Sequence, residues 1–280
     1  MKYLKPMLIT GCTASGKSEL AMNLANINPS VIINADALQV YDAFSILTSR
    51  PNNCATSSNK HELYGHVSYK VRYDVNVWLR QIMEILKYAK KNNLRPIIVG
   101  GTGLYFTALT EGLSEIPNIS DEIRIKANKL CESNPSKLLT DIKKKDPETY
   151  NAIDLNNLVR VQRAWEVLTE TGFGLSFWHK NKPPPLLNLK ECRCIIFTRD
   201  NITLSDNIEK RFKKMISLGV IEEVEEVMKD CSNGTKLPAL RAIGFTELRE
   251  YLRGSLTLED AEKQIIIRTK QYAKRQRTWF

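Results

Sequence analysis

The chain has 280 residues, 42% apolar and 26% charged, ordinary for a globular protein and long enough for about two domains. Lys and Arg number 41 against 31 Asp and Glu, and the formal charge of +10 favours a polyanionic partner. No apolar run reaches bilayer length, so no membrane partner is expected.

Met7-Leu8-Ile9-Thr10 reads as a buried strand, and Glu19 to Ala25 carries helical spacing. Between them lies Gly11-Cys12-Thr13-Ala14-Ser15-Gly16-Lys17-Ser18, a Gly-x4-Gly-Lys-Ser loop. Such a loop exposes successive backbone N–H groups to phosphate oxygens. Lys17 adds a point charge, and the Ser18 hydroxyl can hold a metal ion such as Mg²⁺. The ligand expected here carries two or more linked phosphates.

Val31 to Ala35 reads as a second buried strand, placing Asp36 at the carboxyl edge of a parallel sheet, where such sheets bind ligands. Residues 52–60 read as a mobile surface loop, and Val77 to Lys91 as a helix with Trp78, Ile82, Ile85, Leu86 and Ala89 on one face. Pro96 to Gly101 gives another strand, ending in Gly101-Thr102-Gly103 at the same edge. Strand–helix–strand–helix–strand is the pattern of a doubly wound, mainly parallel α/β sheet.

Residues 113–189 change character, being rich in charged residues and Asn, with helical spacing and no convincing strand. They read as an inserted helical subdomain that closes at Lys182-Pro183-Pro184-Pro185 and divides a core of 1–112 and 190–280. Within it Leu158 to Val167 is an amphipathic helix carrying Arg160, Gln162 and Arg163. Cys194 to Thr198 resumes the sheet, and Ser205 is taken as the N-cap of a helix burying Ile208, Phe212, Met215 and Ile216, with Arg211 at the border of that face. The end of the chain, Arg268 to Phe280, interleaves basic residues with aromatics and is either a solvated helix end or a nucleic-acid contact.

The six cysteines (Cys12, Cys54, Cys131, Cys192, Cys194, Cys231) lack zinc-finger spacing and are expected as reduced thiols. Met1 to Pro6 lacks the apolar stretch of a signal peptide, and a cytoplasmic location is expected.

Five blocks in order, Gly11–Ser18, Asn34–Tyr41, Gly100–Tyr105, Arg160–Val167 and Gln271–Phe280, resemble the tRNA dimethylallyltransferases, also called tRNA isopentenyltransferases or IPP transferases. The resemblance implies a P-loop kinase-like, P-loop NTPase-like core with a helical insert. It implies transfer of a dimethylallyl group from dimethylallyl diphosphate to N6 of the adenosine just 3′ of the anticodon, position 37 of the tRNA. In family terms Asp36 matches the general base, and Lys17, Thr102 and Arg211 match groups around the diphosphate, so that Asp36, Thr102 and Arg211 form the expected catalytic set. Expected RNA contacts are Asp36, Ala37, Leu38, Gln39, Arg160, Gln162, Arg163, Lys274 and Arg275; the expected partner is a tRNA anticodon stem-loop and the expected state a monomer.

Some positions depart from the family pattern. Ala37 replaces the usual Ser, Ser45-Ile46-Leu47-Thr48-Ser49-Arg50-Pro51 lacks the usual Gly, and Asn207 replaces an arginine. Asp36 also reads as a metal-linked carboxylate of the NTPase kind. From the P-loop alone the chain could equally be an ATP-dependent small-molecule kinase. A non-enzymatic RNA-binding protein has no need of the intact Lys17-Ser18 pair.

Overall fold

The computed structural model describes residues 4–51, 60–231 and 237–280. The expected loop at 52–60, up to residue 59, and Cys54 lie outside the described residues. The chain divides into two compact units, 1–110 with 186–280 and 111–185. The boundaries read from composition lie a few residues further along the chain, because the last turn of one helix and the proline run do not change composition where the packing changes.

The first unit is built on a parallel sheet of β1 (Met7–Gly11), β2 (Ser30–Asn34), β3 (Lys60–Glu62), β4 (Arg95–Gly100) and β5 (Arg193–Phe197), in the order β3-β2-β4-β1-β5. The registers Met7–Ile97 and Ile33–Ile98 bring β1, β4 and β2 side by side, so their carboxyl ends form one edge. These three strands are buried on both faces, which is why each reads as a continuous apolar run. Alternation along them sends Leu8, Val31, Ile33 and Ile98 to one face and Met7, Ile9, Ile32, Ile97 and Val99 to the other.

The second face is covered by α1 (Lys17–Ala25) through Ala21 and Ala25. The first is covered by α2 (Val75–Lys91) and α3 (Gly103–Glu111) through Trp78, Ile82, Ala89, Tyr105, Phe106 and Leu109. Asp74 caps α2, accepting from the Asn76 and Val77 amides, so the helix starts two residues earlier than its apolar spacing suggests.

Two expectations need correction. β3 was missed in the sequence, because Lys60-His61-Glu62 is short and polar at the sheet margin. Ser205 is not a cap: the helix runs Asn201–Ser217 after Asp200, whose side chain accepts from the Thr203 amide, and Ser205 lies inside it beside Glu209.

The second unit holds α4 (Asp121–Ser133), α5 (Pro135–Lys145), α6 (Pro147–Ala152), α7 (Leu158–Thr171) and α8 (Leu175–Lys180), with no strand among its described residues. Ala127, Leu138, Ile142, Val161, Ala164, Trp165 and Leu168 form its core. The i, i+3, i+4 and i+7 spacing of the last four puts them on one stripe of α7.

The remaining helices of the first unit are α9 (Asn201–Ser217), α10 (Val220–Asp230), α11 (Phe245–Leu252) and α12 (Leu258–Trp279). They share a core with Val40, Tyr41, Phe44 and Leu47, to which they contribute Phe212, Met215, Val224, Phe245, Leu248 and Ile265. Gly219, at φ 90°, breaks α9 from α10.

Candidate active site

Each carboxyl end of the three central strands delivers one part of the site. After β1 the chain turns through Gly11–Ser18 into α1. Gly16 caps that helix at φ 99°, a left-handed conformation that favours glycine, and no side chain caps the first turn. Its orphan amides, with Gly16, Lys17 and Ser18, therefore border an open polar cavity. The Cys12 side chain packs against Leu204, Ile208 and Ala273, while its carbonyl accepts from Lys17 Nζ at 3.1 Å. Cys12 is thus a core residue that lends only its backbone.

After β2 the chain folds tightly over a buried asparagine. Asn34 Nδ2 donates to the Asp36 and Leu63 carbonyls, and its Oδ1 accepts from the Asp36 amide at 2.8 Å. Asp36 Oδ1 then accepts from the Leu38 amide at 2.9 Å, fixing the carboxylate in an Asx turn. After β4, the Thr102 hydroxyl accepts from the Ala37 amide at 2.9 Å, and the Thr102 amide donates to the Ala35 carbonyl at 3.2 Å. Thr102 therefore positions the turn that carries Asp36.

Arg211 reaches in from α9, donating to the Thr13 hydroxyl at 2.6 Å and the Thr48 carbonyl at 3.2 Å. The polar cavity, about 1440 Å³ of space open to solvent, is lined by Lys17, Ser18, Asp36, Gln39, Lys210, Arg211 and Lys214 among others. A second, mainly apolar pocket, about 650 Å³ of space including open solvent, adjoins it, lined by Leu38, Leu47, Ile208, Phe212, Met215, Ile243, Ile265, Ile266 and Tyr272. Thr13, Asp36, Thr48 and Arg211 border both. A bound anion on one side and an apolar group on the other would meet at Asp36.

Burial lowers the Lys17 ammonium to about 8, with nearby Arg211 acting in the same direction and Asp36 opposing them. The site thus holds a cation that lacks sufficient negative charge. Above pH 8 the free site loses this charge, and kcat/KM for an anionic donor is expected to fall by up to tenfold per pH unit. A pH profile checks this; a flat profile through pH 9 contradicts it. The folded pKa lies below the ordinary lysine value of 10.5, so this group also makes the free protein more stable as pH rises from 8 to 10.5.

The departures from the family pattern are accommodated locally. Leu47, where the usual glycine is lost, needs no left-handed backbone: in this turn Phe44 (φ 59°) and Ser49 (φ 51°) adopt it. Glu223 accepts from the Ile46 and Leu47 amides and holds the turn. Asn207 Nδ2 donates to the Ala14 carbonyl at 3.1 Å, and Arg199 Nε to that of Ser15 at 3.2 Å, so both brace the phosphate loop.

Of the residues after Asp36, Leu38 lines the apolar cavity, and Gln39 Nε2 donates to the Thr48 and Ser49 carbonyls. In the second unit Arg160 and Arg163 are exposed on α7. Gln162, expected to contact RNA, is half-buried on α7, donating to Asn128 and Glu166 and accepting from the Cys131 thiol. Lys274 and Arg275 are exposed on α12, but that helix end is also core: Ala273 and Gln276 are buried, and Phe280 packs on Phe106. Gln276, Asn34 and Tyr272 are site residues the sequence did not single out, and Asn207 stood out only as a departure from the family pattern.

The family model for the IPP transferases matches residues 39–280. The chain belongs to the IPP transferase family. It is 47% identical to the tRNA dimethylallyltransferase of Ruegeria sp. strain TM1040, over 99% of this chain and 92% of that protein. The relative of the same name from Roseobacter denitrificans is also 47% identical, over 99% and 95%. Among solved structures, a eukaryotic dimethylallyltransferase acting on tRNA aligns with TM-score 0.84 and 26% identity, covering 98% of this chain and 69% of that one. The tRNA isopentenylpyrophosphate transferase of Bacillus halodurans aligns with TM-score 0.68 and 26% identity, over 100% and 87%. These likenesses agree with the P-loop NTPase-like α/β fold built above.

Proposed function

We propose that the protein transfers the dimethylallyl group of dimethylallyl diphosphate to N6 of the adenosine just 3′ of the anticodon of tRNA, releasing diphosphate. The observation that carries this reading is the junction of an anion-binding cavity and an apolar one at Asp36. The diphosphate lies against the first-turn amides of α1, Lys17 and Arg211, and the isoprenoid tail among Leu38, Leu47, Ile208 and Phe212. As the C1–O bond breaks, its electrons pass to the diphosphate, whose growing charge these fixed donors stabilise. N6 forms the new bond to C1, and the Asp36 carboxylate takes its proton. A carboxylate is a weak base, sufficient once the attacked amine has become acidic. An adenine in a loop is unstacked at less cost than one in a duplex.

Ser18 offers a hydroxyl oxygen to the polar cavity, a hard donor that fits Mg²⁺ arriving with a diphosphate. Among the described residues no cluster of three or more His, Cys, Asp or Glu offers a ready cage, so Ser18 would hold the ion together with the substrate. Bound there, Mg²⁺ supplies charge neutralisation at the leaving group.

Exposed Lys274, Arg275, Arg160 and Arg163 are the basic residues we assign to the anticodon stem-loop, read by shape and phosphates. Every donor-side group lies in one unit of one chain, so a monomer suffices. No described helix is long and apolar enough to cross a membrane, and a tRNA substrate fits a cytoplasmic setting. The relatives and the family model lend the kinase reading no support.

Incubation with labelled dimethylallyl diphosphate and unmodified tRNA tests the proposal, with ATP as control donor. Label in the tRNA, recovered as N6-dimethylallyladenosine, is expected; phosphate transfer from ATP without RNA overturns the reading. Log affinity for tRNA should fall linearly with log salt, and Lys274→Ala or Arg275→Ala should each reduce the slope by roughly 0.7–0.9 without changing the modified base. Binding indifferent to salt contradicts the electrostatic clamp.

A further inference from the structure

One buried side chain on α12 joins the donor side of the site to the acceptor side. Gln276 is 4% exposed. Its Oε1 accepts from the Thr13 amide at 2.8 Å, and its Nε2 donates to the Gly101 carbonyl at 2.8 Å. The first contact is to the phosphate loop and the second to the residue before Thr102. A Cβ at Gly101 would sit 2.0 Å from Gln276 Nε2, so the glycine is what allows this approach.

The two bonded residues are not incidental to the site. Thr13 receives Arg211 on its hydroxyl and borders both cavities. Thr102 holds the Ala37 amide and with it the turn of Asp36. Tyr272, one helical turn before Gln276, lies beside Thr102 and lines the apolar cavity. One face of α12 thus meets the loops that carry donor and base, with Gln276 bonded to both. The Thr13 amide, spent on Gln276, is withheld from phosphate, so the anion must be met further along the loop, at the first turn of α1.

We propose that Gln276 is a positioning residue: its carboxamide sets the gap between the phosphate loop and the Gly100–Thr102 loop, and so the alignment of donor C1 with Asp36. The inference rests on the transfer reading above. The carboxamide touches neither substrate; it acts through Thr13 and Gly101. Misalignment of reacting groups by about 1 Å typically costs about 10²-fold in rate.

Gln276→Leu and Gln276→Glu are compared with wild type by single-turnover transfer to tRNA, and by calorimetry with inorganic diphosphate. For both variants the rate is expected to fall roughly 10- to 100-fold, with diphosphate affinity within about threefold, because the α1 amides are untouched. In Gln276→Glu only the protonated carboxyl can both accept from Thr13 and donate to Gly101. The ratio of its rate to wild type should therefore rise as pH is lowered, while that of Gln276→Leu stays level. Wild-type rates in both variants overturn the proposal. So does an equal loss of rate and diphosphate affinity without recovery at low pH, which marks a structural amide only. If wild type itself transfers nothing, it is the function that fails.

Discussion

Asp36→Asn lowers the single-turnover rate of transfer to tRNA by about 10²–10⁴-fold and leaves donor affinity nearly unchanged, as the loss of a general base does. The substitution keeps the shape and an oxygen that can accept from the Leu38 amide, as Asp36 Oδ1 does at 2.9 Å. The turn, held from the other side by Asn34 and Thr102, should therefore persist. What is lost is the charge that accepts a proton. Donor affinity is spared because the diphosphate groups, Lys17, Arg211 and the α1 amides, come from other elements. Rapid-quench transfer and donor titration measure the two quantities separately.

Lys17→Ala is expected to cost about 3 kcal/mol of transition-state stabilisation, roughly two orders of magnitude in rate, while tRNA affinity hardly changes. The Lys17 ammonium sits in a site that depresses it to about 8, so it is poorly stabilised until negative charge arrives. The growing charge on the leaving diphosphate supplies that partner, and the interaction strengthens as the bond breaks. The measurement is kcat/KM for the donor beside tRNA binding at fixed salt. Wild-type turnover by the variant removes Lys17 from the diphosphate site.

The sequence showed the site wherever its signals are local. Gly11–Ser18, Asp36 and Gly101-Thr102 each follow an apolar run directly, and the sheet brings those run ends together. Helix α7 was legible for the same reason, since its stripe repeats within a few turns. What stayed hidden depends on partners distant along the chain. Gln276 meets Thr13 across 263 positions, and Asn207 meets Ala14 across 193. Neither residue type signals such a bond; each reads as a polar residue on a helix.

Three further features were obscured by competing local signals. Asp200 and Ser205 are both plausible caps, and only packing decides that the helix begins at the former. Gln162 reads as one more polar residue beside Arg160 and Arg163, and its bonds to Asn128 and Glu166 have no signal in the sequence. The lost glycine at Leu47 leaves the turn's conformation open in the sequence, and the left-handed residues prove to be Phe44 and Ser49. Leu47 instead uses its side chain as a wall of the apolar cavity.

The central claim is that Asp36 takes the proton of the acceptor amine where the two cavities meet. It is tested most directly by single-turnover transfer from dimethylallyl diphosphate to tRNA with Asp36→Asn across a range of Mg²⁺ concentrations. The account predicts a loss of about 10²–10⁴-fold that persists at every Mg²⁺ concentration, with donor affinity unchanged. Recovery of the rate by added Mg²⁺, together with weakened donor binding at low Mg²⁺, would contradict it and make Asp36 a metal-linked carboxylate.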